Sequence, residues 1–270
     1  MRLIKCFISG LVVCGIALAM ASAAQAQNAK DIPAKVVRIK GSAQYATDNK
    51  TWHALKVDQI LKPGTVIQTG EASVVDIVLG DGGVEQNPAP LGSQVTYNPT
   101  VEQNLVRLSE NTVMALDKLT QTDTGADTMT DTQLDLRAGR IFGTVKKLSA
   151  TSRYEVKIPN GVAGIRGTIY LISASGIVDV LQGSVLVSYV GADGAVKTQE
   201  VLAGWEFDTR TGQMRPLADL RRDELINFAW ESRLFVNRAY VFVYPWESRL
   251  LVNRNYMFTP DNTGNPVSPH

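Results

Sequence analysis

Tyr154-Glu155-Val156-Lys157-Ile158-Pro159-Asn160-Gly161-Val162-Ala163-Gly164-Ile165-Arg166-Gly167-Thr168-Ile169-Tyr170-Leu171-Ile172 sets two β-forming runs, 154–158 and 168–172, on either side of a glycine-punctuated turn. Alternation with period two, and β-branched or aromatic residues bounded by Pro, Asn and Gly, are the marks of strands joined by tight connections. Working outward, the same signature recurs at 36–39, 65–68, 73–79, 106–108, 133–136, 140–145, 178–181, 184–189 and 196–202. No amphipathic helix separates these runs, so the sequence predicts an all-β domain over 35–207 and not a parallel α/β sheet.

A glycine stands just before a strand four times, in Leu61-Lys62-Pro63-Gly64-Thr65, Leu136-Arg137-Ala138-Gly139-Arg140, Leu181-Gln182-Gly183-Ser184 and Leu202-Ala203-Gly204-Trp205. Each permits a left-handed turn where the chain changes direction. Their irregular spacing excludes a strict short-period repeat. The expected architecture is a twisted, solenoid-like stack of β layers, with a sandwich as the second choice. Residues 82–104 and 120–131, rich in Pro, Gly, Asn, Thr and Asp, read as surface loops.

After Phe207 the pattern changes. Leu217, Leu220, Leu225 and Phe228 fall on one helical face, with Arg221, Arg222, Asp223 and Glu224 on the other, which predicts a helix over 217–228. Then comes an internal duplication: Trp230-Glu231-Ser232-Arg233-Leu234-Phe235-Val236-Asn237-Arg238-Ala239-Tyr240-Val241-Phe242 recurs as Trp246-Glu247-Ser248-Arg249-Leu250-Leu251-Val252-Asn253-Arg254-Asn255-Tyr256-Met257-Phe258. Helix and duplication together make a C-terminal region over 216–258, and the polar, proline-bearing stretch 259–270 reads as a disordered tail.

At the other end, Arg2 and Lys5, an apolar run to Met20 and Ala24-Gln25-Ala26 have the form of a secretory signal, 1–26, with cleavage expected after Ala26. Val13 before Cys14 does not suit lipidation. Cys6 and Cys14 are the two cysteines of the chain, so the mature protein is expected to have no disulfide and to rely on its core. Losing Arg2 and Lys5 turns the formal +1 into −1. A near-neutral chain with no basic block is a poor match to nucleic acid. No later apolar run is long enough for a membrane span. Location in the periplasm or at the cell surface follows as an expectation.

The segment 154–172 resembles the hallmark of the FecR domain family, in which a strand leads through an apolar-Arg-Gly-Thr turn, here Gly164 to Thr168 with Arg166 and Gly167, into the next strand. Leu61-Lys62-Pro63-Gly64-Thr65 and Leu79-Gly80-Asp81-Gly82 upstream, and Val178-Asp179-Val180-Leu181-Gln182-Gly183-Ser184-Val185-Leu186-Val187 downstream, are similar to the family's order, so the resemblance spans about 36–207. The resemblance implies an exported β domain used in protein contact. The family's familiar members are inner-membrane regulators of iron-uptake sigma factors. This sequence departs from their plan, with no cytoplasmic segment before its apolar run, so contact with a sigma factor is not expected. Within the motif, Arg166 offers a planar donor fork to carbonyls or a carboxylate, a structural clamp before it is a ligand site.

Chemistry finds little support. His53 and His270 are the two histidines, no mature cysteine is expected, and no Gly-x-Ser-x-Gly elbow occurs, so neither a zinc site nor a triad can be assembled. Asp76, Asp81, Asp135 and Asp179 lie in or beside strands, and as isolated acids they are expected to face solvent. No catalytic residue, metal ligand or cofactor is assigned. Trp, Tyr and Arg dominate interface hot spots, and the duplication presents them twice in one order. Trp230, Arg233, Tyr240, Trp246, Arg249 and Tyr256 are the candidate partner-binding residues; the same side chains could instead cover an exposed side of the β domain. The functional expectation is a non-enzymatic envelope binding or scaffold module that contacts a protein or a cell-wall polymer. A periplasmic sensory component is the alternative, and an envelope hydrolase ranks last.

Overall fold

The computed structural model describes residues 29–48, 50–80, 104–125 and 127–236. The expected leader 1–26, nearly all of the expected loop 82–104, the second copy of the duplicated motif and the expected tail 259–270 lie outside the described residues.

The organising device is the bent strand. β1 (Lys30–Asp31) is followed by β2 (Ala34–Lys40), which continues past Gly41 as β3 (Ala43–Ala46). After the short β4 (His53–Ala54) and β5 (Ile60–Leu61), β6 (Val66–Thr69) turns at Gly70 into β7 (Val74–Leu79). β8 (Leu105–Leu108) turns over residues 109–112 into β9 (Val113–Asp123), and β10 (Thr128–Ala138) turns at Gly139 into β11 (Arg140–Thr144). β12 (Arg153–Ile158) does not bend. β13 (Gly161–Ser173) and β14 (Ile177–Val190) bend at Gly167 and Gly183, and β15 (Val196–Leu202) passes Gly204 into β16 (Trp205–Asp208). β17 (Gln213–Pro216) and helix α1 (Asp219–Val236) complete the described chain.

Hydrogen bonding groups the arms of these strands into two rows. The first runs β2, β7, β8, β11, the later part of β13, the earlier part of β14, β16 and β17. The second runs β4, β3, β6, β9, β10, β12, the earlier part of β13, the later part of β14 and β15. All of these pairs are antiparallel except β10 with β12. The corners form two lines at the two ends of β11: Arg140 opposes Ser173 beside the first, and Thr144 opposes Ile169 beside the second. The network therefore curls, barrel-like, around one apolar core, the all-β architecture that the strand frequency predicts.

The core takes every second residue of most strands, among them Val75 and Ile77, Val106 and Leu108, Val156, Tyr170 and Ile172, Val178 and Val180, and Phe207. Turning a strand through a corner leaves backbone groups unpaired, and an unpaired buried group costs about as much as a lost hydrogen bond. Buried hydroxyls meet that demand. Thr69 Oγ1 donates to the Ser109 carbonyl at 2.6 Å and accepts from the Thr112 amide at 2.9 Å. Thr168 Oγ1 donates to the Ser184 carbonyl at 2.8 Å. The glycines give room. Gly139 (φ 77°) would place a Cβ 2.6 Å from Thr112 Cα, and Gly183 (φ 81°) would place one 2.4 Å from the Gly167 carbonyl oxygen. A side chain at either position meets backbone, which cannot step aside.

Several boundaries differ from those read in the sequence. Residues 120–131 are not a loop but the end of the β9–β10 hairpin, paired from Asp123–Thr128 inward. Their threonines are β-branched strand formers, and hydrogen bonds across the hairpin outweigh the polar composition. Leu220, expected on the apolar helical face, is 85% exposed. The helix begins at Asp219 and runs past 228 to Val236, and its phase is set by Leu225, Phe228, Ala229 and Ser232 on the sheet side. That phase carries Arg221 and Glu224 inward and Leu220 outward.

Candidate functional site

Helix α1 lies on the outer face of the first row, where Leu225, Phe228 and Ala229 pack with Phe142, Ile169, Leu171 and Leu217. Alternation along a strand covered on both sides sends every other side chain beneath this helix. On β7 and β8 the outward positions include Asp76 and Arg107, which stand directly opposite each other in the register. Asp76 has no exposed surface and Arg107 is 1% exposed. Two isolated charges at such depth are costly, but a guanidinium and a carboxylate can satisfy each other as a planar fork. Here Arg107 Nε donates to Asp76 Oδ1 at 2.7 Å and Nη2 to Oδ2 at 3.0 Å.

The third arm of the fork points to the helix. Arg107 Nη1 donates to Glu231 Oε2 at 2.9 Å, and Arg38 Nη1 of β2 donates to the same oxygen at 3.3 Å. The Phe228 ring sits 5.1 Å from the Arg107 guanidinium carbon, in cation–π range. Glu231 thus meets two arginines that both lie close to Asp76. The result is a carboxylate socket with walls from β2, β7 and β8 and an aromatic lid from α1.

Glu231 belongs to the first copy of the duplicated motif, whose opening residues Trp230 to Ser232 lie on α1. Its Glu enters the socket, and its Ser232, 4% exposed, donates to the Phe228 carbonyl at 2.7 Å one helical turn back. Of the six candidate partner-binding residues, Trp230 is on α1 and is 39% exposed, and Arg233 is in the same helix. Tyr240, Trp246, Arg249 and Tyr256 lie outside the described residues. Sequence reasoning named Trp230 and Arg233 but passed over Glu231, Arg107 and Arg38.

A second acid under the helix has no such fork. Asp179 of β14 is fully buried, and neither of its oxygens accepts a hydrogen bond among the described residues. The Arg221 Nε of α1 is 3.3 Å from Oδ2, outside hydrogen-bonding geometry. Burial, with the Glu206 and Glu224 charges adding to it against Arg221 and Arg215, pushes the Asp179 carboxyl up to about 7. Glu224 itself pairs with Arg140 at 3.1 Å and with Arg221, and Glu206 pairs with Arg215. Asp76 and Asp179 thus correct the expectation that these acids face solvent. Asp135, half-buried beside Arg137, is nearer to it, and Asp81 lies outside the described residues.

The Gly164–Thr168 motif is a corner within β13 and not a turn between two strands: the pairing with β14 continues through it with register shifts after Arg166 and Ile169. Gly167 takes φ 67° there. Arg166 is exposed and its Nε donates to the Leu148 carbonyl at 3.2 Å, tying the corner to the segment before β12. Thr168 is buried. Gly164 has ordinary spacing to its nearest neighbour, the Leu186 carbonyl oxygen. His53 is exposed and 5.6 Å from the Tyr45 ring, apart from the other features described. Among the described residues no cluster of His, Cys, Asp and Glu is arranged to hold a metal ion, and no helix is long and apolar enough to cross a membrane.

Residues 97–186 match the family model described as FecR protein. That is β8 through most of β14, a narrower span than the sequence resemblance, and it contains Arg107 and the Gly164–Thr168 corner. No curated protein matches. Two crystal structures of candidate anti-sigma factors from Parabacteroides distasonis are similar to parts of the chain. One has a TM-score of 0.36 and 13% identity, over 56% of this chain and 57% of its own. The other has 0.31 and 15%, over 53% and 58%. The chain spans less than two thirds of either.

Proposed function

We propose that this chain is an exported, non-enzymatic envelope module of FecR type that works through contact with a protein or a cell-wall polymer, its C-terminal duplication serving as a contact element. The observation that carries the reading is the docking of the first motif copy. A charged residue of the duplication is held by a buried guanidinium on the β domain, so this segment already has a specific binding partner within its own chain. The leader-like first 26 residues support export, and the FecR match supports a place in signalling as the alternative role.

Crosslinking in intact cells, followed by affinity capture, tests this reading with the full chain against one ending after Val236. That end point keeps α1, whose removal would bare Phe142, Ile169 and Leu171. Capture of a defined envelope protein that depends on residues 237–258 supports the contact role, and a receptor or regulator as that protein selects signalling. Capture that is equal with both forms, or absent, refutes a contact role for the duplication.

A further inference from the structure

Among the described residues there is one such carboxylate socket, and the sequence holds two copies of the segment that fills it. Aligning the copies on their tryptophans sets Phe228-Ala229-Trp230-Glu231-Ser232 against Tyr244-Pro245-Trp246-Glu247-Ser248. The positions that touch the socket are kept in kind. An aromatic ring recurs where Phe228 covers Arg107, and a glutamate recurs where Glu231 binds Arg107 and Arg38. Leu225, the fully buried residue by which the helix packs on the sheet, corresponds to Val241, also apolar. Trp230 and Arg233, the residues a generic hot-spot argument would choose, recur as Trp246 and Arg249.

The socket's chemistry is selective. Arg107 is fixed by two bonds to Asp76 and has one donor arm left for a ligand, which an anionic oxygen fills with a stronger, charge-assisted bond than a neutral acceptor would. Glu231 is the most solvent-accessible member, with half of its side chain exposed, while Arg107 is sealed. The ligand side can therefore leave and be replaced without opening the Arg107–Asp76 pair.

We infer that the Arg38–Asp76–Arg107 socket is a peptide-recognition site that reads an aromatic-x-Trp-Glu-Ser segment, occupied here by the first copy, and that the second copy of the same chain is its alternative ligand. The two copies compete for one site from the same tether, so binding of the second releases the first, and with it the Leu225–Phe228–Trp230 segment. This deepens the reading of the duplication as a contact element. It can fail while capture in cells succeeds, and the reverse, so the two are judged separately.

The test is a titration of a fluorescent synthetic peptide covering residues 241–254 into the full chain, read by anisotropy. The host is the Glu231→Gln, Glu247→Gln chain, in which both tethered ligands are weakened. The peptide is expected to bind this host about tenfold or more tightly than the same peptide with Glu247→Gln, the worth of one charge-assisted hydrogen bond. The unmodified chain, its socket filled, is expected to bind it more weakly than the double variant. Adding Arg38→Gln to the host, with far-ultraviolet circular dichroism unchanged, is expected to cut affinity without unfolding. Equal binding of the two peptides, or no binding to the double variant, overturns the proposal.

Discussion

Two carboxylates lie beneath the same helix, equally buried, and are solved differently. Asp76, under the C-terminal half of α1, receives both prongs of a guanidinium that is itself sealed from water. Asp179, under the N-terminal half, has an arginine within 3.3 Å but no hydrogen bond, and two further acids nearby. The difference is one of origin. Arg107 is delivered by the strand next to Asp76, in register, on a rigid sheet. Arg221 comes from a helix whose position depends on apolar packing. Register delivers Arg107 into a two-pronged pairing with Asp76, whereas Arg221, at its end of the helix, makes no hydrogen bond to Asp179.

The sharpest way to break the comparison is Arg107→Met. It leaves Asp76 buried without its fork and is expected to cost about 3–5 kcal/mol in urea unfolding. Adding Asp76→Leu to it should recover most of that loss, because removing both charges avoids the uncompensated one. If the single variant costs under about 1 kcal/mol, the pair does not hold the sheet face together.

Asp179→Asn is expected to do the opposite. The folded carboxyl is raised from 3.8 to about 7, so between these values the native state keeps a proton that the unfolded chain has released. Its contribution is fully present below pH 3.8, falls as pH rises, and is gone above about 7. The parent chain should therefore lose about 2–4 kcal/mol from pH 4 to pH 8 through this group, at about 1.4 kcal/mol per unit. Asp179→Asn should flatten that slope and unfold at higher urea at pH 8. An unchanged slope would assign the pH dependence elsewhere.

Glu231→Gln probes the ligand side of the better-paired end and should cost about 1–2 kcal/mol, since Arg107 keeps Asp76 but loses its second charged partner. Arg215→Gln, at an exposed side chain paired with Glu206, is expected to cost under about 0.5 kcal/mol, and it should vanish in high salt.

Much of the β domain was legible because its strands are short, β-branched and punctuated by glycine. Gly64, Gly139, Gly183 and Gly204 all take positive φ, as their places before strands imply. What escaped was continuity. The runs 178–181 and 184–189 read as two strands, yet β14 passes through Gly183 unbroken, because β13 pairs with it before and after the corner while β16 and β15 divide its other edge. Local sequence marks a change of direction but does not say whether pairing survives it. The socket was hidden for a related reason. An aspartate within Val74-Val75-Asp76-Ile77-Val78-Leu79 and an arginine within Leu105-Val106-Arg107-Leu108 are each visible as a charge in an apolar strand. Their meeting depends on register across residues 80–104, and that of Glu231 on how a helix settles more than a hundred residues later.

The placement of the Glu231 contact near the exit of α1 has a mechanical consequence. A pull on the chain beyond Val236 reaches this contact before the Leu225 and Phe228 packing, and before the strands. The helix is thus loaded from one end, so among its described attachments to the sheet the ionic one would fail first and the apolar ones after it, ahead of the strand ladders beneath.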